Sequence, residues 1–194
     1  MRRNLFVLLV LLLLVVGCGK KENNKQEEKT TIDTKLVVEG AREYINKRPS
    51  YSNEMFEGGY PQDNVGACTD VIWYAYQKAG FSIKDAIDED ISKSPKDYGI
   101  SKPNPDIDFR RVRNLFIFFN KYAKKLTTSF DNPKEWQAGD IVIFDGYSHI
   151  AICSDKLNED GIPYIFHHSE EKGTVEGNDI YNQKVIAHYR FNSY

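Results

Sequence analysis

Cys68 stands in the stretch GACTDVIWYAYQKAG, Gly66 to Gly80, where a loop turns into a helix. A thiol attacks only as its thiolate, and an ordinary pKa of about 8.5 keeps most of it protonated at neutral pH. On the first turn of a helix it meets the positive end of the backbone dipole, which favours the ionised form. The unpaired amides of that turn can also receive the oxyanion that forms when a thiolate attacks a carbonyl. Such a site still needs a base, and the chain offers His149, His167, His168 and His188. His149 opens a strand after Gly146-Tyr147-Ser148, which places an imidazole at a sheet edge. His167 and His168 end the next strand. Successive strand residues face opposite sides, so only one of the two can share a face with His149 and orient its ring, the role of a third triad member. His188 lies in an alternating strand near the C-terminus with no evident partner.

Cys153 falls inside HIAICSD, an apolar run that reads as a buried strand, where a cysteine behaves as a small hydrophobe. A Cys68–Cys153 disulfide is the plain structural alternative for an exported domain. Zinc is a second alternative, but no C-x-x-C or H-x-x-x-H spacing is present. No metal and no cofactor are expected.

The elements that must bring these residues together follow from periodicity. Leu36 to Lys47 has helical spacing, with Asp33 or Thr34 as cap and Pro49 just beyond. Tyr51 to Ala67 is loop. Cys68 to Ala79 is a helix closed by Gly80, and Ile83 to Asp90 is a short acidic helix. Ser92 to Asp108 is a loop with three prolines. Asn114 to Lys125 is a second strong helix, with lysines in its last turn. WQAGDIVIFD, HIAICSD, IPYIFHHS and VIAHYRF read as four strands. Helices followed by a strand meander make an α+β fold with an antiparallel sheet.

The N-terminus addresses the compartment. Arg2 and Arg3 precede an apolar run from Leu5 to Val16, too short to span a bilayer and suited to a secretory leader. Residues 1–17 read as a signal peptide and 18–31 as a solvated polar tether. About Ile32 to Tyr194 remains as one domain. The formal net charge of −2 becomes −4 once Arg2 and Arg3 leave with the leader, so nucleic acid is not an expected partner. Oligomeric state is not legible.

Val-Val-Gly-Cys at the end of the apolar run resembles the bacterial lipobox. That resemblance implies lipidation of Cys18 and a membrane anchor in the cell envelope, facing outside the cytoplasm. The motifs GACTDV, WQAGDIVIF, SHIAICSD and YIFHHS, in that order, resemble the NlpC-type branch of the papain-like cysteine peptidases. The chain is especially similar to a bacterial domain-of-unknown-function family, numbered 1287, through CTDV, DID…RRV…NL…FF and HI-…-SD. The resemblance runs from about Leu36 to Phe191. It implies a papain-like fold, with N-terminal helices packed on a small antiparallel sheet and the nucleophile at a helix N-terminus. Cys68 would be the nucleophile, His149 the base and His167 the third residue, with His168 binding substrate or helping to orient. Ala67-Cys68-Thr69 departs from the usual Asp-Cys-Ser, and Phe109 replaces a family histidine. A tyrosine upstream of the cysteine often lines such sites, and Tyr60 or Tyr51 would serve.

In NPDIDFRRVRN the arginines are either a surface ion-pair cluster with Asp106 and Asp108, worth little in stability, or a fork for a substrate carboxylate. Arg110 and Arg111 are the candidates. The expected activity is a cell-envelope cysteine hydrolase that cuts amide bonds in peptidoglycan stem peptides. The alternatives are a non-catalytic wall-peptide binding lipoprotein and an acyltransferase using the same Cys–His pair.

Overall fold

A computed structural model describes residues 29–194. The expected leader, the lipidation site Cys18 and most of the expected tether lie outside these residues. At its start the described chain pairs with its own end. The Thr30 amide donates to the Tyr194 carbonyl and Thr31 bridges Ser193, so the folded part begins slightly before the expected Ile32.

The first helix, α1 (Thr34–Lys47), begins where Asp33 accepts a hydrogen bond from the Lys35 amide, a side-chain cap for an otherwise orphan donor. A short strand, β1 (Ser50–Tyr51), pairs in parallel with β2 (Val65–Gly66) across the intervening loop. Next come α2 (Cys68–Lys78) and α3 (Ile83–Lys93), then a loop with single 3-10 turns at Pro95–Tyr98 and Asp108–Arg110. The helix α4 spans Val112–Tyr122. The chain is extended at Ala123, and Lys124–Lys125 form an edge strand, β3, against the last strand. The expected final turn with its lysines is therefore a strand. The rest is β4 (Ile141–Phe144), β5 (Ile150–Leu157), β6 (Pro163–Ser169), β7 (Gly173–Gly177) and β8 (Val185–Arg190). Strands β3 to β8 form one antiparallel sheet in the order β3-β8-β4-β5-β6-β7.

The α+β expectation holds: among the described residues there are four α-helices and an antiparallel sheet. Ile141, Ile143, Ile150, Ile152, Phe166 and Tyr189 pack with the helices. The alternate residues Val142, Phe144, Ala151, Cys153 and Ile165 join a second apolar cluster with Trp136, Ile162 and Ile180. Both faces of β4 and β5 are covered, so their sequences are continuous apolar runs instead of alternating ones. Helices α1 and α2 cross at Gly40, where a Cβ would stand 2.6 Å from Lys78 Cβ and 2.9 Å from Ala75 Cα. The close crossing matters to the site, since α1 carries Tyr44 and α2 carries Cys68.

Candidate active site

Cys68 is the first residue of α2. Two interactions hold that helix start. Asp70, at the third helical position, accepts from the Ala67 amide at 2.6 Å, which is half of a capping box, since Ala67 has no side chain to reciprocate. Arg110 then locks Asp70 in place: Nη2 donates to Asp70 Oδ2 at 2.8 Å and to the Ser52 carbonyl at 2.7 Å, and Nη1 donates to the Glu54 carbonyl. The junction also needs Gly66, because a Cβ there would meet Tyr44 Oη at 2.2 Å.

The thiol is buried and free, as is that of Cys153. Cys153 belongs to the apolar cluster beyond the sheet, whereas Cys68 belongs to the cluster on the helix side. The disulfide alternative therefore fails. Burial pushes the Cys68 pKa up to about 11, with Asp70 adding to the rise. The nearby backbone amides of Ile150, Thr69 and Cys68 itself pull the other way. A helix start was expected to ionise the thiol. In the resting site, desolvation outweighs those amides and the sulfur keeps its proton.

With α2 packed on β5 and the Ile150 amide near the sulfur, Cys68 lies close to the backbone that carries His149, the preceding residue. His149 leaves a turn in which Tyr147 has φ +55°. A bulky residue in the left-handed region is strained by roughly 1–2 kcal/mol. Here Tyr147 is held against Phe116 of α4, ring centroids 5.0 Å apart. The strained turn delivers the imidazole to His167: His149 Nε2 lies 3.1 Å from His167 Nδ1, with perpendicular rings. Burial, and then the neighbouring His167 and His168, bring the His149 pKa down to about 4. Both Cys68 and His149 are thus neutral at rest.

Alternation along β6 separates the two adjacent histidines. His167 meets His149, and its Nε2 lies 3.1 Å from Asp179 Oδ2. His168 points to the helices, with Nδ1 2.9 Å from Tyr44 Oη and its ring edge-on to Tyr51 at 5.4 Å. The Nε2 of His168 is buried without a partner. A cavity of about 240 Å³ opens beside the pair, lined by His149, His167, Lys172, Asp179 and Gln183 among others.

Other expected site residues fare differently. Arg110 is not available to a substrate: its side chain is 2% exposed and its fork is taken by Asp70 and two loop carbonyls. Arg111 is exposed and only 3.9 Å from Asp108, and it lies in a separate groove of about 620 Å³ that Tyr147 also lines. Tyr60 packs on Trp73, reaches Asp85 at 3.4 Å and carries Lys84 over its ring. Tyr51 is the upstream tyrosine that meets the site residues, through His168. His188, for which the sequence offered no partner, stacks on Trp136 at 3.9 Å and bonds Asp140 and the Thr127 carbonyl. Asp179 was not anticipated. It follows β7, a strand with two glycines and no apolar alternation, and no spacing rule ties it to His167.

The comparisons with known proteins come to the same stretch of chain. A family model described as a domain of unknown function (DUF1287) matches residues 38–191, which takes in α2, the histidine strands and Asp179. An uncharacterized protein, YijF of Escherichia coli (strain K12), is 31% identical over 166 residues, 80% of each chain. The match covers nearly all of the described fold, and on that ground this chain belongs to the DUF1287 family.

Proposed function

We propose that the protein is a cysteine hydrolase of the cell envelope, anchored by lipid at Cys18, that cuts amide bonds in peptidoglycan stem peptides on an NlpC-type papain-like fold. One observation carries this reading. The Cys68 sulfur lies near the Ile150 amide, one residue along from a His149 whose Nε2 bonds His167. A nucleophile, a base and an orienting group come from three distant stretches of sequence, the arrangement that activates a weak nucleophile.

The His149 ring presents Nδ1 to the thiol, because Nε2 is taken by His167. As Cys68 Sγ bonds the substrate carbonyl carbon, its proton passes to His149 Nδ1. The oxyanion is received by the Cys68 amide at the start of α2. Collapse breaks the C–N bond, and His149 returns the proton to the leaving amine. Water, deprotonated by the same nitrogen, then splits the thioester and restores the thiol. Because thiol and imidazole are both neutral at rest, the proton moves in step with attack and no resting ion pair is required. Arg111, exposed in its groove, is the arginine free to bind a stem carboxylate. His168, expected to bind substrate or help to orient, is fully buried against Tyr44 and Tyr51 and keeps only the orienting role.

The test is release of soluble fragments from purified sacculi. Cys68→Ala and His149→Ala are each expected to lower the rate by at least about 10³-fold, as removal of a triad member does elsewhere. Wild-type release by both variants would leave a binding module in place of an enzyme.

A further inference from the structure

Asp179 stands directly behind the histidine pair, and its role rests on the Cys68–His149 reading above. Its anchoring is specific. Lys172 Nζ donates to Oδ1 at 2.5 Å and Asn182 Nδ2 donates to the same oxygen at 2.7 Å. Oδ2 is thereby left for His167. The approach of Asp179 also needs Gly177, where a Cβ would lie 2.5 Å from Asp179 Oδ2. No positive φ requires glycine at that position, so the space itself is the constraint.

The protons along this line can be assigned by elimination. A carboxylate only accepts, so His167 Nε2 carries a hydrogen and donates to Asp179. The ring is neutral, so His167 Nδ1 is bare and can only accept. His149 Nε2, 3.1 Å from it, must then be the donor. A neutral His149 protonated at Nε2 has its lone pair on Nδ1, the nitrogen left free for a thiol proton. The opposite tautomer of His167 would face a bare nitrogen against a carboxylate oxygen.

We propose that Asp179 is a positioning residue that sets the tautomers of two imidazoles in series, so that His149 presents Nδ1 as a base. It exchanges no proton with substrate. When His149 takes the thiol proton, the resulting cation gains a fixed anion one ring away.

The experiment is a long-range ¹H–¹⁵N correlation on the full chain with ¹⁵N-labelled histidine at pH 7, which shows which ring nitrogen carries hydrogen. The wild type is expected to show Nε2–H for both His149 and His167. Asp179→Ala is expected to turn His167 into a tautomer mixture and to lower fragment release from sacculi by about 10- to 100-fold, in kcat and not KM. Asp179→Asn keeps its one oxygen on Lys172 and Asn182 and turns its NH2 to His167 Nε2, so it should invert the tautomers and lose at least as much activity as the alanine variant. A wild-type His167 protonated at Nδ1, or an unchanged spectrum in Asp179→Ala, overturns the proposal. The wild-type spectrum decides even if the alanine variant does not fold. Failure of the hydrolase reading would appear separately, as full release by Cys68→Ala, with the tautomer result unaffected.

Discussion

At the scale of single residues, burial decides what each charged or nucleophilic group does. Residue type and spacing place Cys68 on a first helical turn, and the chain does so. They do not say how much water the thiol loses, and that loss holds the thiol neutral. Arg110 makes the same point. In NPDIDFRRVRN it looks like one exposed cation among several, yet it fills the space behind α2 and Arg111 takes the surface. The difference lies in the packing of Phe109 and Val112, both buried, which turns Arg110 inward at the end of the 3-10 turn. If Arg110 is structural, Arg110→Ala leaves Asp70 buried without its cation and lowers stability by about 3–5 kcal/mol, read from the urea midpoint. A substrate role predicts instead a normal midpoint with a raised KM on sacculi, and that result would reverse the assignment.

At the scale of elements, periodicity revealed what packing reinforces and missed what it does not. The helices α1 and α2 and the strands β4, β5, β6 and β8 have long apolar patterns and were legible. The strand β7 has the sequence GTVEG, half-buried throughout, with nothing for an alternation rule to detect. Lys124 and Lys125 are good helix formers, but the Leu126 amide bonds the His188 carbonyl and edge pairing overrides propensity. The positions of Cys68 at the start of α2 and His149 just before β5 were legible because a motif marks each boundary, and His167 because its motif marks the strand that carries it. Asp179 lies in a loop whose position only the folded sheet defines. Glycines also divide by element. At Gly80, φ is +78° with no atom near a Cβ, so Gly80→Ala should cost only about 1–2 kcal/mol, through the dihedral. At Gly40 the backbone is ordinary helix and the space is occupied. Gly40→Val should therefore force α1 from α2 at a cost of about 1–3 kcal/mol. It should also slow fragment release, because Tyr44 leaves His168. Equal midpoints for Gly40→Val and wild type would show that the crossing relaxes freely.

For the whole molecule, the sheet takes water from three histidines on its two faces, His149 and His167 on one and His168 against the helices on the other. Burial is the main cause in each case: His149 and His168 are brought down to about 4, and His167 is lowered despite Asp179. In the unfolded chain an imidazole titrates near 6.5. Between pH 6.5 and 4 the unfolded state therefore binds protons that the folded state refuses. More protons bound to the unfolded state means that stability rises with pH, so stability is complete above about 6.5 and drains away as pH falls toward 4. Each proton of difference contributes a slope of up to about 1.4 kcal/mol per pH unit. Below that window Asp179 adds to the loss. Its carboxylate pKa is lowered: desolvation opposes this, and the hydrogen bonds from Lys172 and His167 outweigh it. Its stabilisation is thus present above the ordinary carboxylate value and lost beneath it. Urea midpoints at pH 7, 6 and 5 should fall steadily in the wild type. They should fall less steeply in His168→Gln, which removes one of the titrating rings while leaving His149 and His167 in place. A midpoint that is flat between pH 7 and 5 would mean that water reaches these rings in the folded state, and the neutral resting pair of Cys68 and His149 would then have to be replaced by an ionised one.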